Sequence, residues 1–495
     1  MESWRSDIVV HYNPEINKSL HQELTDGVSR LILPGINQLA EKLSGKVIFG
    51  ESEELLRHGY DWWPVAAMWR KQGKSPHRPD AVCFPESADD VRAILQWSSQ
   101  TGQPLTPWGA GSSVTGACLP SSGGMTVDFS RMNRVIDFSE TDCYVRVEPG
   151  VMGDRLESWL NDRGFTLNHS PQSLDRSTAG GWVATFATGQ FSSKYGGIED
   201  LLLGLEVILP DGKTVRSHLT PRSATGPDLK QIFIGAEGTL GMTTEVVLKV
   251  FPRAAHRLLG AFKFPSVQAG TKVMRAIMQS GLRPMLVRFY DQDEAPHAMQ
   301  DETCCDCVLF LGTEGVRQVA EAEYAVCADL CRDAGATELG ASPVEAWMSR
   351  RFDFSTLEEC LNRPGGYAET IEVAHFWSRI EIVHSRLKEA LRPMADQVMS
   401  HFSHLYDQGT SLYVILLGQA PDDAEAEQRL LNIWEKAMEV CLEEGATISH
   451  HHGTGLARNS YIARERSGDH HLLERIKKAV DPDNRMNPGK LGLRV

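Results

Sequence analysis

No apolar run in this 495-residue chain reaches the roughly 18 residues that would span a bilayer. The opening stretch MESWRSDIVVHYNPEI has neither an apolar signal core nor an Arg-rich amphipathic pattern, and the closing GLRV is no Ser-Lys-Leu-type peroxisomal address. The expected location is cytoplasmic. Positive charge is also short. Fifty Lys and Arg face 65 Asp and Glu, for a net charge of −15. That balance repels nucleic-acid backbones and anionic membranes, so neither is an expected partner. The ten cysteines lack paired clusters with zinc spacing, and no metal is expected. Cys304, Cys305 and Cys307 run into the apolar VLFLG and read as buried or free thiols. Internal repeats and low-complexity tracts are absent.

What is present suggests several domains, because one core seldom grows beyond about 250–300 residues. Residues 1–75 read as a mostly helical lead-in, with the aromatic-rich YDWWPVAAMWRKQG packing over another element. AVCFP, SADDVRAILQWSSQTG and QPLTPWG form a β-α-β pattern, with Ser87 as N-cap and Gly102 as stop. Short β-branched strands with glycine turns fill 105–250, including a hairpin turning at Asp211-Gly212. From about 256, strands such as LVRFYD and CVLFLGTEG alternate with long helical stretches, which points to a second α+β unit.

The densest anion cradle is PWGAGSSVTGACLP, residues 107–120. Glycines there let the backbone approach a ligand, and successive N–H groups with Ser and Thr hydroxyls can hold a pyrophosphate. The loop lacks the Gly-Lys-Ser/Thr of a Walker motif. It does not open a helix as a Rossmann fingerprint would. By itself it is equally a tight surface turn.

Three further stretches follow in order: PQS…STAGGWVATFATG, YGGIEDLLLGLEVILPDG and GPDL…IGAEGTLGMTTEV. Together with the loop they resemble the FAD-binding domain of the vanillyl-alcohol oxidase/p-cresol methylhydroxylase (PCMH) superfamily, over roughly 80–253. The resemblance implies an α+β fold with a two-subdomain PCMH-type FAD-binding domain at 76–255. A substrate or cap domain at 256–445 would have an antiparallel sheet flanked by helices, and 446–495 would complete the active site and return to the FAD domain. It implies FAD held by Gly109, Ala110, Gly111, Ser112, Ser113 and Thr115 at the pyrophosphate. Pro171, Ser173, Thr178, Gly180, Gly181 and Thr185 would lie along the ribityl chain and ring edge, and Glu237, Gly238, Thr239, Leu240 and Gly241 near the adenosine end. Ser112 and Ser113 stand where some members carry a flavin-linking histidine, so the FAD is expected to be non-covalent.

VRFYDQDE, YAETIEVAHFW, YDQGTSLYV, SHHHGTG and VDPDNRMNPG sharpen the resemblance toward alkylglycerone-phosphate synthase and its bacterial relatives. The metal-type His-x-Gly-Asp-Gly-Asn-x-His element of the related D-2-hydroxy-acid dehydrogenases is replaced, with Tyr413 where its last histidine would stand. The resemblance implies group exchange at flavin N5 on a small-molecule or lipid-like substrate, and a homodimer. Tyr413 would be the acid/base, its pKa lowered by cationic His450, His451 and His452. If the triplet lies in a strand, His450 and His452 share the site face and His451 faces away. Arg288, Arg350 and Arg351 are the candidate substrate anchors. Neither Arg350, Arg351 nor Arg363 falls in the family register, which points to an altered donor. Two other readings stay open: an FAD-dependent dehydrogenase of a hydroxy acid or sugar-like alcohol, and a non-catalytic flavin-binding protein. Peripheral membrane contact through residues 1–75 or the cap is also left open.

Overall fold

The structure, a computed structural model, describes residues 33–493. The part of the helical lead-in before residue 33, and the last two residues, lie outside the described range. In the remainder, helices Ile36–Lys42, Glu53–Arg57 and Pro64–Lys71 are joined by a strand, Lys46–Phe49, which pairs with Ala81–Phe84. The first sheet is therefore four-stranded, in the order Lys46–Phe49, Ala81–Phe84, Met125–Asp128, Leu105–Trp108. Helix Ala88–Thr101 makes the crossover. Ser87 Oγ accepts the Asp90 N–H at 3.2 Å, and Gly102 closes the helix in the left-handed region. The two strands that flank this helix in sequence are not neighbours, since Met125–Asp128 lies between them in parallel with both.

The second sheet is antiparallel and five-stranded: Val135–Ser139, Tyr144–Val147, Met242–Lys249, Leu202–Ile208, Thr214–Arg216. Its hairpin turns at Gly212, whose φ of +84° is open to glycine at little cost.

The third sheet has seven antiparallel strands, ordered Thr337–Gly340, His256–Phe264, Cys307–Gly315, Leu286–Tyr290, Gln397–Leu405, Gly409–Gln419, Gly366–Phe376. One face packs Val287, Phe289, Ile371, Val373, Phe402 and Leu412 into the largest core, with helices Val267–Gln279, Ile380–Leu391 and Asp423–Glu444. The residues between them point the other way, because side chains alternate along a strand. Helix Pro64–Lys71 docks on Asp423–Glu444, where Trp69 Nε1 donates to Glu427 at 2.9 Å. The aromatic segment thus packs over the second core. All ten cysteines are free, with Cys304 and Cys307 buried and Cys305 exposed. Among the described residues no helix is long and apolar enough to cross a membrane.

Candidate active site

A long cavity runs from the glycine-rich loop to the open face of the seven-stranded sheet. It encloses about 2850 Å³ of empty space, part of it open to solvent. At one end its wall is Gly109, Ala110, Gly111, Ser112 and Ser113, facing Pro171, Ser173, Thr178, Gly180, Gly181 and Thr185. Glu237, Gly238, Leu240 and Gly241 join them. The glycines are needed where they stand. A Cβ on Gly109 would lie 2.6 Å from Thr178 Oγ1, and one on Gly238, at φ +70°, 2.7 Å from Pro107 Cγ. The wall also carries polar atoms with no protein partner among the described residues: Gln190 Oε1, Tyr290 OH, and the Nε of Arg288, Arg350 and Arg351. Buried polar atoms without partners are rare in folded chains and are accounted for by a ligand or water. A backbone-and-hydroxyl cradle continuous with a polar, partly apolar slot fits a dinucleotide carrying a flat ring.

Two residues expected at the cofactor stand behind the wall instead. Thr115 is fully buried, and its carbonyl accepts the N–H groups of Leu456 and Ala457 at 2.7 and 3.0 Å. The Thr239 carbonyl accepts Lys477 Nζ at 2.8 Å. Both tie the loops to the C-terminal segment, a use that the small-and-hydroxyl pattern cannot separate from ligand contact. Glu237 lines the cavity, but its carboxylate accepts the Thr454 and Gly455 N–H groups and the Thr454 hydroxyl, so it also anchors that segment.

At the other end, strand register builds one row of side chains. Tyr290 pairs with His401, His401 with Tyr413, and Tyr413 with Glu372, across four adjacent strands. Directly opposed residues share a face, so Tyr290, His401 and Tyr413 all line the cavity. The His401 ring stacks on Tyr413 at 4.8 Å and 15°. Arg288, two residues before Tyr290 on the same face, donates to His401 Nε2 at 2.7 Å. His401 Nδ1 must then carry the proton and donate it to Glu294, 2.8 Å away. Burial and the Arg288 cation hold His401 neutral, well below the usual imidazole range.

Glu372 organises the histidine triplet. It is fully buried, and its Oε1 accepts the N–H groups of His450, His451 and His452 at 3.2, 3.3 and 3.0 Å, and the Ser449 hydroxyl at 3.0 Å. Its Oε2 pairs with the equally buried Arg458 and lies 3.1 Å from His452 Nδ1, off the axis of a well-aligned hydrogen bond. Burial alone would raise its pKa, but Arg458 and then His452 outweigh it and hold the carboxyl well below its ordinary value. The triplet is therefore no strand. It is a bend wrapped round one carboxylate, and strand alternation does not apply. His451 and His452 line the cavity, and His450 does not. The expected pairing of His450 with His452 is corrected accordingly. The same bend brings one ring nitrogen each of His404, His450 and His451 within 4.8 Å of one another.

The expected cationic imidazoles are also corrected. Burial pushes His450 down to about 4 and His451 well below its ordinary value. Burial raises Tyr413, against a hydrogen bond with Thr370 that lowers it. At neutral pH Tyr413 is a phenol beside the neutral rings of His401 and His451. The unfolded His450 titrates near 6.5, so between that value and about 4 the unfolded chain binds more protons. The contribution of the neutral ring is present above pH 6.5 and lost as the pH falls toward 4. Going from pH 7 to 5 is expected to cost up to about 2 kcal/mol through this ring. Urea unfolding at the two pH values checks this, with a smaller loss in His450→Gln.

Arg288, Arg350 and Arg351 all line the cavity, while Arg363 is absent from its wall and lies 3.9 Å from Glu359. Arg350 reaches the Ala298 carbonyl and Arg351 the Met348 carbonyl. Sequence reading missed Glu372, His401, Glu294, His404 and Arg458. A glutamate inside the apolar TIEVA and histidines inside VMSHFSHL are the signals that were available, since charges in buried strands need partners.

Two family models match this chain. One, for an FAD binding domain, covers residues 79–218, and the other, for the C-terminal domain of FAD linked oxidases, covers 253–491. An Escherichia coli K12 protein described as an uncharacterized FAD-linked oxidoreductase, YgcU, is 30% identical over 432 residues, covering 83% of this chain and 89% of the relative. The chain belongs to the FAD-linked oxidase family. FAD is its cofactor. The alkyldihydroxyacetonephosphate synthase of Dictyostelium discoideum is 27% identical, over 85% of this chain and 74% of that protein. The crystal structure of p-cresol methylhydroxylase with substrate bound superposes with a TM-score of 0.75 at 17% identity, over 94% and 98% of the two chains. The α+β fold with a PCMH-type FAD-binding domain is thereby shown. For this family member the glycine loop and its facing strand-loop would hold the FAD, and the tyrosine–histidine row forms the far end of the same cavity.

Proposed function

We propose that this chain is an FAD-dependent enzyme of the alkylglycerone-phosphate synthase type, exchanging groups on a small anionic or lipid-like substrate. The observation that carries the reading is that Tyr413, His452 and Arg288 open into the same cavity as the Gly109–Ser113 loop. When bound, the flavin supplies an electrophilic ring nitrogen, N5. The protein supplies the proton handling. His452 Nδ1 faces Glu372, which leaves Nε2 to take a proton from a substrate carbon. The Glu372 carboxylate behind it stabilises the resulting imidazolium, the same division of labour as an oriented histidine base with its acid partner. Tyr413, neutral and edge-on to His452 at 5.7 Å, donates its O–H to a substrate oxygen or a departing group. Arg288, Arg350 and Arg351 bind an anionic head, and burial pulls Arg351 down to about 10, which an anion would reverse.

The flavin is held without a covalent bond in this reading. Ser112 and Ser113 occupy the loop, and burial raises the Cys118 thiol on the cavity wall well above its ordinary value, which disfavours a thiolate there. Acid precipitation of the yellow protein is expected to leave the flavin in the supernatant. Colour retained in the pellet would contradict it.

The deciding experiment is anaerobic mixing with acyl- and alkyl-bearing phosphorylated ketones, hydroxy acids and sugar alcohols. Exchange of substituents with no lasting bleaching of the flavin band supports the proposal. Accumulation of reduced flavin with a hydroxy acid or alcohol would replace it with dehydrogenation.

A further inference from the structure

His450 is the member of the triplet that leaves the cavity wall, yet it is not idle. Its Nδ1 lies 2.8 Å from His451 Nδ1, and its Nε2 lies 2.7 Å from the Tyr406 hydroxyl. His451 lines the cavity, whereas Tyr406 is 38% exposed. We infer that His451, His450 and Tyr406 form a proton path between the cavity and bulk water. The inference rests on the proposed reading only in needing a proton to leave the cavity.

The chemistry balances without any electron transfer. In one arrangement His451 Nδ1–H donates to His450 Nδ1, His450 Nε2–H donates to the Tyr406 oxygen, and the Tyr406 O–H donates to water. A proton arriving on His451 Nε2 displaces the Nδ1 proton to His450. His450 passes its Nε2 proton to Tyr406, and Tyr406 releases its own to water. One proton enters and one leaves, and every ring ends neutral in the opposite tautomer. The reverse sequence brings a proton in. Neutral imidazole is the form that can both donate and accept, and burial keeps both rings in it.

The surroundings hold the path still while its protons move. Glu372 fixes the three backbone N–H groups. His404 stacks on His450 at 5.0 Å and 17°, stands edge-on to His451 at 4.8 Å, and is pinned by Ser192 Oγ at 2.9 Å from its Nδ1. The Tyr406 N–H donates to the Gly409 carbonyl, and its own carbonyl accepts Trp377 Nε1. Facing the three groups are His404, also kept neutral by burial, His452 beside His451, and Glu199 and Asp200 toward Tyr406. No cation need enter for a proton to pass.

The test reads proton exchange rather than turnover. Flavin-loaded protein, labelled with ¹⁵N at histidine and washed with chelator, would be examined by NMR for the N–H shared between His450 and His451, assigned with His450→Gln. In the wild type this proton is expected to exchange rapidly with water. Tyr406→Phe, which removes one hydroxyl, is expected to slow that exchange at least tenfold while flavin spectrum and unfolding midpoint stay unchanged. Equal exchange rates in the two proteins, or a wild-type proton that already persists for seconds, would overturn the path. Failure of the proposed function shows itself elsewhere, as no response to any donor, and leaves the exchange difference intact.

Discussion

Replacing Glu372 by alanine is expected to destabilise the protein by about 3–5 kcal/mol, the usual cost of leaving one member of a buried ion pair alone. Arg458 is fully buried against Trp434, with its guanidinium carbon 4.6 Å from the ring, and would lose its only carboxylate partner among the described residues. The N–H groups of His450, His451 and His452 would lose their common acceptor in the same step. Urea unfolding followed by tryptophan fluorescence measures the effect. The double variant Glu372→Gln with Arg458→Met is expected to recover part of the loss, because it removes the stranded charge. If Glu372→Ala unfolds at the wild-type urea concentration, the carboxylate does not organise the bend. A matching increase in amide exchange confined to residues 449–455 would show that the bend is what loosens.

Tyr413→Phe is expected to slow the chemical step by about 10²–10⁴, the range for loss of a positioned acid or base, while FAD binding stays at the wild-type level. The hydroxyl is the sole group removed, and the ring keeps its stack on His401 at 4.8 Å. Single-turnover kinetics with whichever donor responds in the anaerobic screen would measure it, alongside flavin titration of the apoprotein. Wild-type rates in this variant would place the proton handling on the histidines alone. Because Tyr413 is a neutral phenol, its contribution should persist across pH 6–8 with no inflection of its own.

Much of the cofactor end was legible because its physics is local. A loop such as PWGAGSS needs glycine wherever the backbone must approach a ligand, and that need is written at the position where it arises. Helix caps and hairpin turns follow the same logic, as Ser87, Gly102 and Gly212 do. Thr115, Thr239 and Glu237 were harder. Small, hydroxyl and carboxylate residues beside such a loop serve a ligand or a neighbouring segment equally well, and here the backbone carbonyls of Thr115 and Thr239 and the carboxylate of Glu237 hold the C-terminal segment.

At the far end of the cavity the sequence pointed to residues that the structure brings together, but their geometry was misread. Tyr413 and the triplet were singled out, but strand alternation paired the wrong histidines, and cationic rings were expected where burial leaves neutral ones. A single chain position carries no record of the depth to which it is buried, and desolvation depends on that depth.

The sequence by itself determined the fold class and the cofactor, through several motifs that resemble the PCMH-type family in their order, and it singled out a loop, a tyrosine and histidines that the structure brings to one cavity. The tertiary structure alone decided that Glu372, 78 residues before His450, collects the triplet round one oxygen. It alone set His401 against Tyr413 through strand register. Such pairings depend on which strands become neighbours, and that is settled by packing of the whole sheet rather than by any one segment.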